Sequence, residues 1–229
     1  MLLLVKRLKS QGLLHLAETT FNRFVPAWLF RFSVGDVFDL DVAKLSQLGD
    51  ADDAKTKQFQ LTQHQGLEST QQLREVTWNS VPLSCSAEHF GYSISGKIAD
   101  EQQLLGGVWG GFGNFVEQNL GFDFRLKPNE GWIYCAYIDK AARGMGLYKR
   151  VLSFACAKMK ENGFDRQLVV VQPWNKASTY IHKKYSKETA GRIIALRFLF
   201  LSMIFCTGKL KKDRTFTCRI TKSPIQLST

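Results

Sequence analysis

The stretch Arg143-Gly144-Met145-Gly146-Leu147-Tyr148 is the part of the sequence best equipped for chemistry. Its two glycines admit backbone conformations closed to residues that carry a Cβ, so successive amide N–H groups can converge on one point. Val151, Leu152, Ala155 and Met159 follow at helical spacing and predict a helix from about Gly146 to Asn162. A helix start carries about half a unit of positive charge, and Arg143, Lys149 and Arg150 add cations around it. These residue types at this spacing make an anion cradle suited to a phosphate or pyrophosphate. Read alone, the same residues are equally an ordinary turn that needs two glycines. The stretch contains neither GxxxxGK[ST] nor GxGxxG, which disfavours the nucleotide sites those motifs form.

The other reactive side chains are dispersed. The five cysteines, Cys85, Cys135, Cys156, Cys206 and Cys218, are odd in number and widely spaced, with no CxxC pair or Cys/His cluster. No metal site is therefore expected. Cys135 and Cys156 stand in apolar runs, where a thiol acts as a small hydrophobe. Reduced thiols and a cytoplasmic location are the expectation.

The cradle must be held by its neighbours. Trp132–Ile138, inside Gly131–Ile138, is a nearly continuous apolar run, as expected of a strand buried on both faces. Gly163 fits a left-handed helix C-cap. Gln167–Val171 predicts another buried strand, Asn175–Tyr185 a second helix, and Ile193–Cys206 and Thr215–Ile220 closing strands. Upstream, Val34–Val42 predicts the first strand, Ala51–Gln63 a loop or helix, and Ser69–Trp78 a helix capped by Ser69 or Thr70. Phe90–Ser95 and Gly106–Glu117 predict two strands. Gly107, Gly110, Gly111 and Gly113 in the second point to a bulge or a close backbone approach. Residues 1–34 predict an amphipathic helical extension ahead of one domain at 35–229. The order is that of an α/β fold.

On these two stretches the sequence resembles the GNAT superfamily of acyl-CoA-dependent N-acyltransferases. The family signature, [Gln/Arg]-x-x-Gly-x-[Gly/Ala], is met by Arg143 and Gly146, with Tyr148 in the last position in place of a small residue. About 30 residues on, Asn175, Ala177 and Ser178 resemble the start of the family's next helix, whose usual closing Gly-Phe is replaced by Ser186-Lys187. The resemblance is good over 130–200, loose over 35–130 and absent from 1–34.

The resemblance implies a mixed, mostly antiparallel central sheet flanked by helices, with a parallel strand pair, Trp132–Ile138 and Leu168–Gln172, that splays apart after a bulge. It implies acetyl-CoA as co-substrate, held by Tyr137 and Ile138, by the Arg143–Tyr148 loop and by Asn175 and Ser178. It also implies direct attack of an amine on the thioester, so Cys135 is not needed as a nucleophile. His182 takes the position of the family's thiolate-protonating Tyr, with Tyr180 and Tyr185 as alternatives. Glu130 is the favoured base, with Glu117 and Asp139 as alternatives. Trp109, Phe112, Trp132 and Trp174 line either an acceptor pocket or the core.

Composition bounds the partner. The 229 residues, 45% of them hydrophobic, suffice for one sizeable core, and a charged fraction of 22% is ordinary. A net charge of +11 points to an anionic partner, but no nucleic-acid-binding signature is present, so specific nucleic-acid recognition is not expected. A small-molecule amine such as an amino sugar or nucleotide sugar is the expected acceptor. No run reaches the ~20 apolar residues of a membrane span, and Met1–Val5 followed by Lys6, Arg7 and Lys9 reverses the charge order of a signal peptide. The basic, apolar segments 1–34 and 193–212 also allow peripheral contact with a membrane. An inactive GNAT-like module at a membrane or anionic surface is the alternative function.

Overall fold

The computed structural model describes residues 23–26, 29–49, 58–77, 81, 88–98, 101–117, 122–199, 201–211, 217–220 and 225–226. Side chains are described for these apart from 48–49, 115–117, 122–124, 201–202, 211 and those beyond it. The chain divides into two compact units, one of residues 40–115 and 126–169, the other of residues 1–39, 116–125 and 170–229.

In the first unit five strands lie in the order β8-β7-β4-β3-β2: β2 is Phe59–Gln65, β3 Phe90–Ile98, β4 Glu101–Phe112, β7 Glu130–Ile138 and β8 Arg166–Val171. All neighbours are antiparallel except β7 and β8, whose parallel register runs from Glu130↔Arg166 to Ile133↔Val169 and stops there. Helices α1 (Val42–Gly49), α2 (Leu67–Val76) and α3 (Leu147–Glu161) complete the unit. The expected class, a mixed sheet with one parallel pair and flanking helices, is the class observed.

The α3 helix packs through the stripe its periodicity predicts, with Val151, Leu152, Ala155, Cys156 and Met159 all buried. Phe154 meets Tyr92 edge-on at 6.1 Å. The buried Ser153 hydroxyl donates to the Leu45 carbonyl and ties α3 to α1. Gly163, at φ 89°, is left-handed as expected after the helix. Gln167, fully buried, donates from Nε2 to the Cys156 carbonyl at 2.8 Å and to the Phe164 carbonyl at 3.1 Å, which ties β8 to the end of α3.

The glycines of β4 do what a strand weakened by glycine suggests. The register shifts at Ile94/Ser95 against β3 and between Gly107 and Trp109 against β7. A Cβ on Gly107 would lie 2.3 Å from the Tyr92 carbonyl and 2.5 Å from Leu73 Cδ1. Neither neighbour can yield cheaply, since one is sheet backbone and the other a core side chain. Gly107→Ala is therefore expected to lose roughly 1–3 kcal/mol of stability, read from urea unfolding; an unchanged midpoint would contradict the close packing. Gly113, at φ 65°, breaks the second predicted strand into β4 and β5 (Asn114–Glu117).

In the second unit the order is β11-β10-β9-β1, with β1 at Phe30–Leu40, β9 Ser186–Phe198, β10 Leu201–Cys206 and β11 Thr217–Ile220. Here too are α4, Lys176–Lys184, and the parallel pair of β6 (Phe122–Arg125) with β12 (Ile225–Gln226). Asp36 and Arg192 form a bidentate pair at 2.6 and 3.0 Å.

Several sequence expectations shift. The first strand starts at Phe30, inside the predicted extension, because Phe30, Phe32 and Val34 alternate with Arg31 and Ser33 at the two-residue period of a strand. Val42 opens α1 rather than closing that strand. Part of Ala51–Gln63 is strand β2, and residues 51–57 lie outside the described set. The α2 helix starts after Gly66, not at Ser69 or Thr70; Ser69 Oγ instead donates back to the Gln65 carbonyl at 2.6 Å. Residues 1–22, the bulk of the extension, lie outside the described residues. No helix among the described residues is long and apolar enough to cross a membrane.

Candidate functional site

The anion cradle is built at the end of β7. The Asp139 N–H donates to the Leu105 carbonyl at 2.8 Å, and its carboxylate accepts from the Ala141 N–H at 2.8 Å. Asp139 thereby caps a 3₁₀ turn, Lys140–Ala142, and also lies 3.4 Å from the donating Tyr137 hydroxyl. Arg143 folds back, and its Nε donates to the Ile138 carbonyl at 3.1 Å. These bonds fix both ends of the turn before the helix begins.

Gly144 at φ 84° and Gly146 at φ 74° are both left-handed, and a Cβ at either would meet open space. The glycines are thus required by backbone conformation rather than by crowding. Gly146 is the N-cap of α3 and makes no side-chain cap hydrogen bond. A helix leaves its first N–H groups without intrahelical acceptors, so the uncapped start of α3 presents donors and the positive end of its dipole at an exposed surface. Met145 is exposed, and Leu147 anchors the first turn in the core.

Tyr148, the departure from the family pattern, lies on the inward side of α3. It stands four residues before Leu152 and eight before Cys156, both buried. Burial, and secondarily the nearby Cys156, raises its phenol pKa. Its side chain is half-buried.

The preceding strand carries the second feature. Cys135 has φ 46°, a left-handed conformation rare outside glycine. Trp109↔Tyr134 and Gly107↔Tyr137 are paired, so Cys135 and Ala136 together face Val108 alone. This is a β-bulge, and it falls just past Ile133, where the β8 register ends. Cys135 is half-buried and unoxidised.

The carboxylates expected as bases have other work. Glu130 is 1% exposed; its Oε1 accepts from Arg166 Nη1 at 2.7 Å and its Oε2 from the Lys127 N–H at 3.0 Å. It starts β7, whose far end leads into the cradle, and at ~3.3 Å per residue the two ends are roughly 25 Å apart. Glu130 is thus held in a buried ion pair at the end of β7 away from the cradle, a setting that speaks against its expected role as base. Asp139 is committed to its cap. The Glu117 side chain lies outside the described residues.

In the other unit, α4 begins as its motif predicts: Asn175 is the N-cap and its side chain accepts from the Ser178 N–H at 3.2 Å. His182 is 1% exposed and stacks on Phe38 at 6.2 Å. Its Nδ1 lies 2.8 Å from the Ser178 carbonyl, which can only accept, so Nδ1 carries the proton of the neutral ring. Burial lowers its pKa to about 4, against a smaller raising effect from Ser178. It is therefore uncharged near neutral pH and buried, a setting that speaks against the expected role of protonating the thiolate. Tyr180 is exposed and Tyr185 buried.

The depressed His182 pKa has a consequence for stability. The unfolded chain takes up this proton near pH 6.5 and the folded chain only near 4. Between those values the unfolded state holds more protons, so stability falls as pH falls through that window. His89, buried beside Tyr134 and also held at about 4 by desolvation, adds to the slope. Denaturant midpoints are expected to drop across this range and His182→Gln to flatten the drop; an equal slope in the variant would contradict the burial.

Trp109 and Trp132 are fully buried and Phe112 stacks on Phe164 at 5.1 Å, so these three are core rather than pocket lining; Trp174 is half-buried. Among the described residues no group of three or more His, Cys, Asp or Glu could hold a metal ion.

A sequence profile of the Acetyltransferase (GNAT) family matches residues 56–186. That range covers more than half of the chain and contains the cradle, the bulge and the Asn175 cap: the protein belongs to the GNAT acetyltransferases. No curated protein is recognisably similar to it. Among solved structures it is similar to a Drosophila protein at 10% identity and TM-score 0.49, with 80% of this chain and 56% of that one covered. It is similar to a protein described as a GNAT-family acetyltransferase from Novosphingobium aromaticivorans at 12% identity and TM-score 0.43, covering 73% and 60%. It is also similar to AAC(6')-Iy in complex with a CoA-containing bisubstrate analogue, at 14% identity and TM-score 0.40, covering 57% and 92%. The chain spans less than two thirds of the length of the first two.

Proposed function

We propose that this chain transfers an acetyl group from acetyl-CoA to a primary amine by direct attack on the thioester. The observation that carries the reading is the uncapped start of α3, entered through two left-handed glycines from a bulged strand. In this reading the pyrophosphate of CoA sits on the first turn of α3, with Arg143 and Lys149 nearby, and the Tyr137–Ile138 strand end faces the pantetheine. Asn175 and Ser178 belong to the same family motif, and here they cap α4. The ladder displaced at Cys135 and Ala136 supplies a strand N–H for the developing oxyanion. No acyl-enzyme forms, and Cys135 keeps its thiol. Of Tyr180 and His182 on α4 and Tyr185 just after it, Tyr180 is the exposed one and takes the role of protonating the departing thiolate. A net charge of +11 supports an anionic amine such as a nucleotide sugar as acceptor.

Thermal stabilisation tests the first half. Acetyl-CoA at 100 times its dissociation constant adds about 2.7 kcal/mol, and no shift at millimolar acetyl-CoA would sink the reading. Screening amines for release of free thiol tests the second half, with Tyr180→Phe expected to slow turnover while sparing the thermal shift. A second reading, a non-catalytic module at a membrane, is favoured by exposed Phe24, Phe198 and Leu199 beside Arg23 and Arg197 in the sequence. It predicts flotation with anionic vesicles and no thiol release with any amine.

A further inference from the structure

The face of β3 that turns toward α2 is built unlike a core. On its opposite face Tyr92 and Ile94 are fully buried beneath α3. On the α2 side stand Ser93 and Ser95, and Ser93 is only 3% exposed. A buried hydroxyl costs free energy unless it is hydrogen-bonded, and Ser93 Oγ meets His64 Nε2 at 2.7 Å. A sequence selected for stability alone would place Val or Ile here.

Under α2 the packing is uneven. Leu73 presses onto the sheet where Gly91 and Gly107 make room, each too close to tolerate a Cβ. Beyond Leu73, over the short side chains of Ser93 and Ser95, a half-open cavity of about 290 Å³ lies between longer polar walls. That is near the lower end of the ~300–1,000 Å³ of small-molecule sites, enough for one ring. Its polar wall is made by Thr62, His64, Ser93, Ser95, Gln72 and Gln103.

We infer that this cavity is a binding site for an uncharged, hydroxyl-bearing small molecule of about one sugar ring. The argument is one of complementarity. Hydroxyls, carboxamides and a neutral imidazole can each donate and accept, which matches a ligand whose own groups do both. Neither a carboxylate nor a Lys or Arg lines the cavity, so a charged ligand would lose hydration with no opposite charge to meet. Burial lowers the His64 pKa, which keeps its ring neutral near pH 7. The inference does not depend on the acyl-transfer reading, because it uses no residue of the cradle or of α4.

Three probes that share one ring separate the possibilities: glucose, glucosamine as its ammonium, and glucuronate, joined by myo-inositol as a second neutral ring. Saturation-transfer NMR at millimolar concentration reads each against the full chain. The expected result is transfer to glucose or myo-inositol, with both charged sugars weaker by about tenfold or more. Ser95→Leu, which fills the cavity, and Gln103→Leu, which removes a polar wall group at an exposed position, should each weaken the neutral signal while leaving acetyl-CoA stabilisation and the melting temperature near wild type. The inference is overturned if neither neutral ring binds, if the charged sugars bind as well as the neutral ones, or if binding survives both substitutions. Loss of acetyl-CoA stabilisation in the wild type alone would strike the acyl-transfer reading and leave this one standing.

Discussion

Gly146→Val should lose acetyl-CoA binding almost completely. Gly146 sits at φ 74° in open space, so the new side chain would clash with nothing. The strain is internal: a β-branched residue in the left-handed region costs about 1–2 kcal/mol, and the chain relieves it by leaving that conformation. Once it does, the entry to α3 turns, and the N–H groups of the first turn no longer converge on the proposed pyrophosphate. A loss of about 2.7 kcal/mol of ligand stabilisation is what disappearance of a shift measured at 100 times the dissociation constant amounts to. Gly146→Asn is the control, since Asn tolerates the left-handed region; it should keep most of the shift. If Val binds acetyl-CoA like wild type, the cradle is only a turn. If Asn fails as badly as Val, contact at the glycine, not conformation, is what matters.

The cradle was legible in the sequence because it depends on local rules. Left-handed positions select glycine, helix ends select caps, and the Gly144/Gly146 pair, Gly163 and Asn175 each stand where those rules put them. The family resemblance implies a bulge in this strand, but its place at Cys135 is not marked by the residues. It lies in a continuous apolar run, and a left-handed cysteine leaves no mark on composition; the two-for-one pairing opposite Val108 is a property of two strands together. The direction of Tyr148 was hidden for a related reason. Family spacing flags it as too large for its place, whereas helical spacing sets it in line with the buried Leu152 and Cys156, and it is half-buried beside them. His182 illustrates the limit of motif transfer. The motif gives its place on α4, but which face of a nine-residue helix is covered depends on Phe38, far away in sequence. The serine face of β3 reads as an ordinary exposed strand face until α2 is seen to cover it.

Proximity in sequence to a reactive strand says nothing about which end of that strand Glu130 occupies, and the largest loss of stability is expected at its ion pair. Its carboxylate is 1% exposed and joined to Arg166 across the first pair of the parallel register. Removing one partner of a buried pair leaves an uncompensated charge, at about 3–5 kcal/mol. Arg166 is itself 22% exposed, so some solvent reaches the gap and the lower part of that range applies to Arg166→Met. Replacing both partners together is a different matter, because a buried pair exchanged for apolar groups of similar size is often neutral. Glu130→Leu combined with Arg166→Met should therefore recover most of the stability that Arg166→Met alone loses, as read from urea unfolding of the four proteins of the cycle. A general base would behave otherwise. Glu130→Gln would then fold like wild type and lose turnover together with the acidic, low-pH limb of its pH profile. An ion-pair partner instead lowers the unfolding midpoint and leaves the pH dependence of turnover where it was. The two outcomes are exclusive, and the distance of Glu130 from the Ile138 end of β7 favours the second.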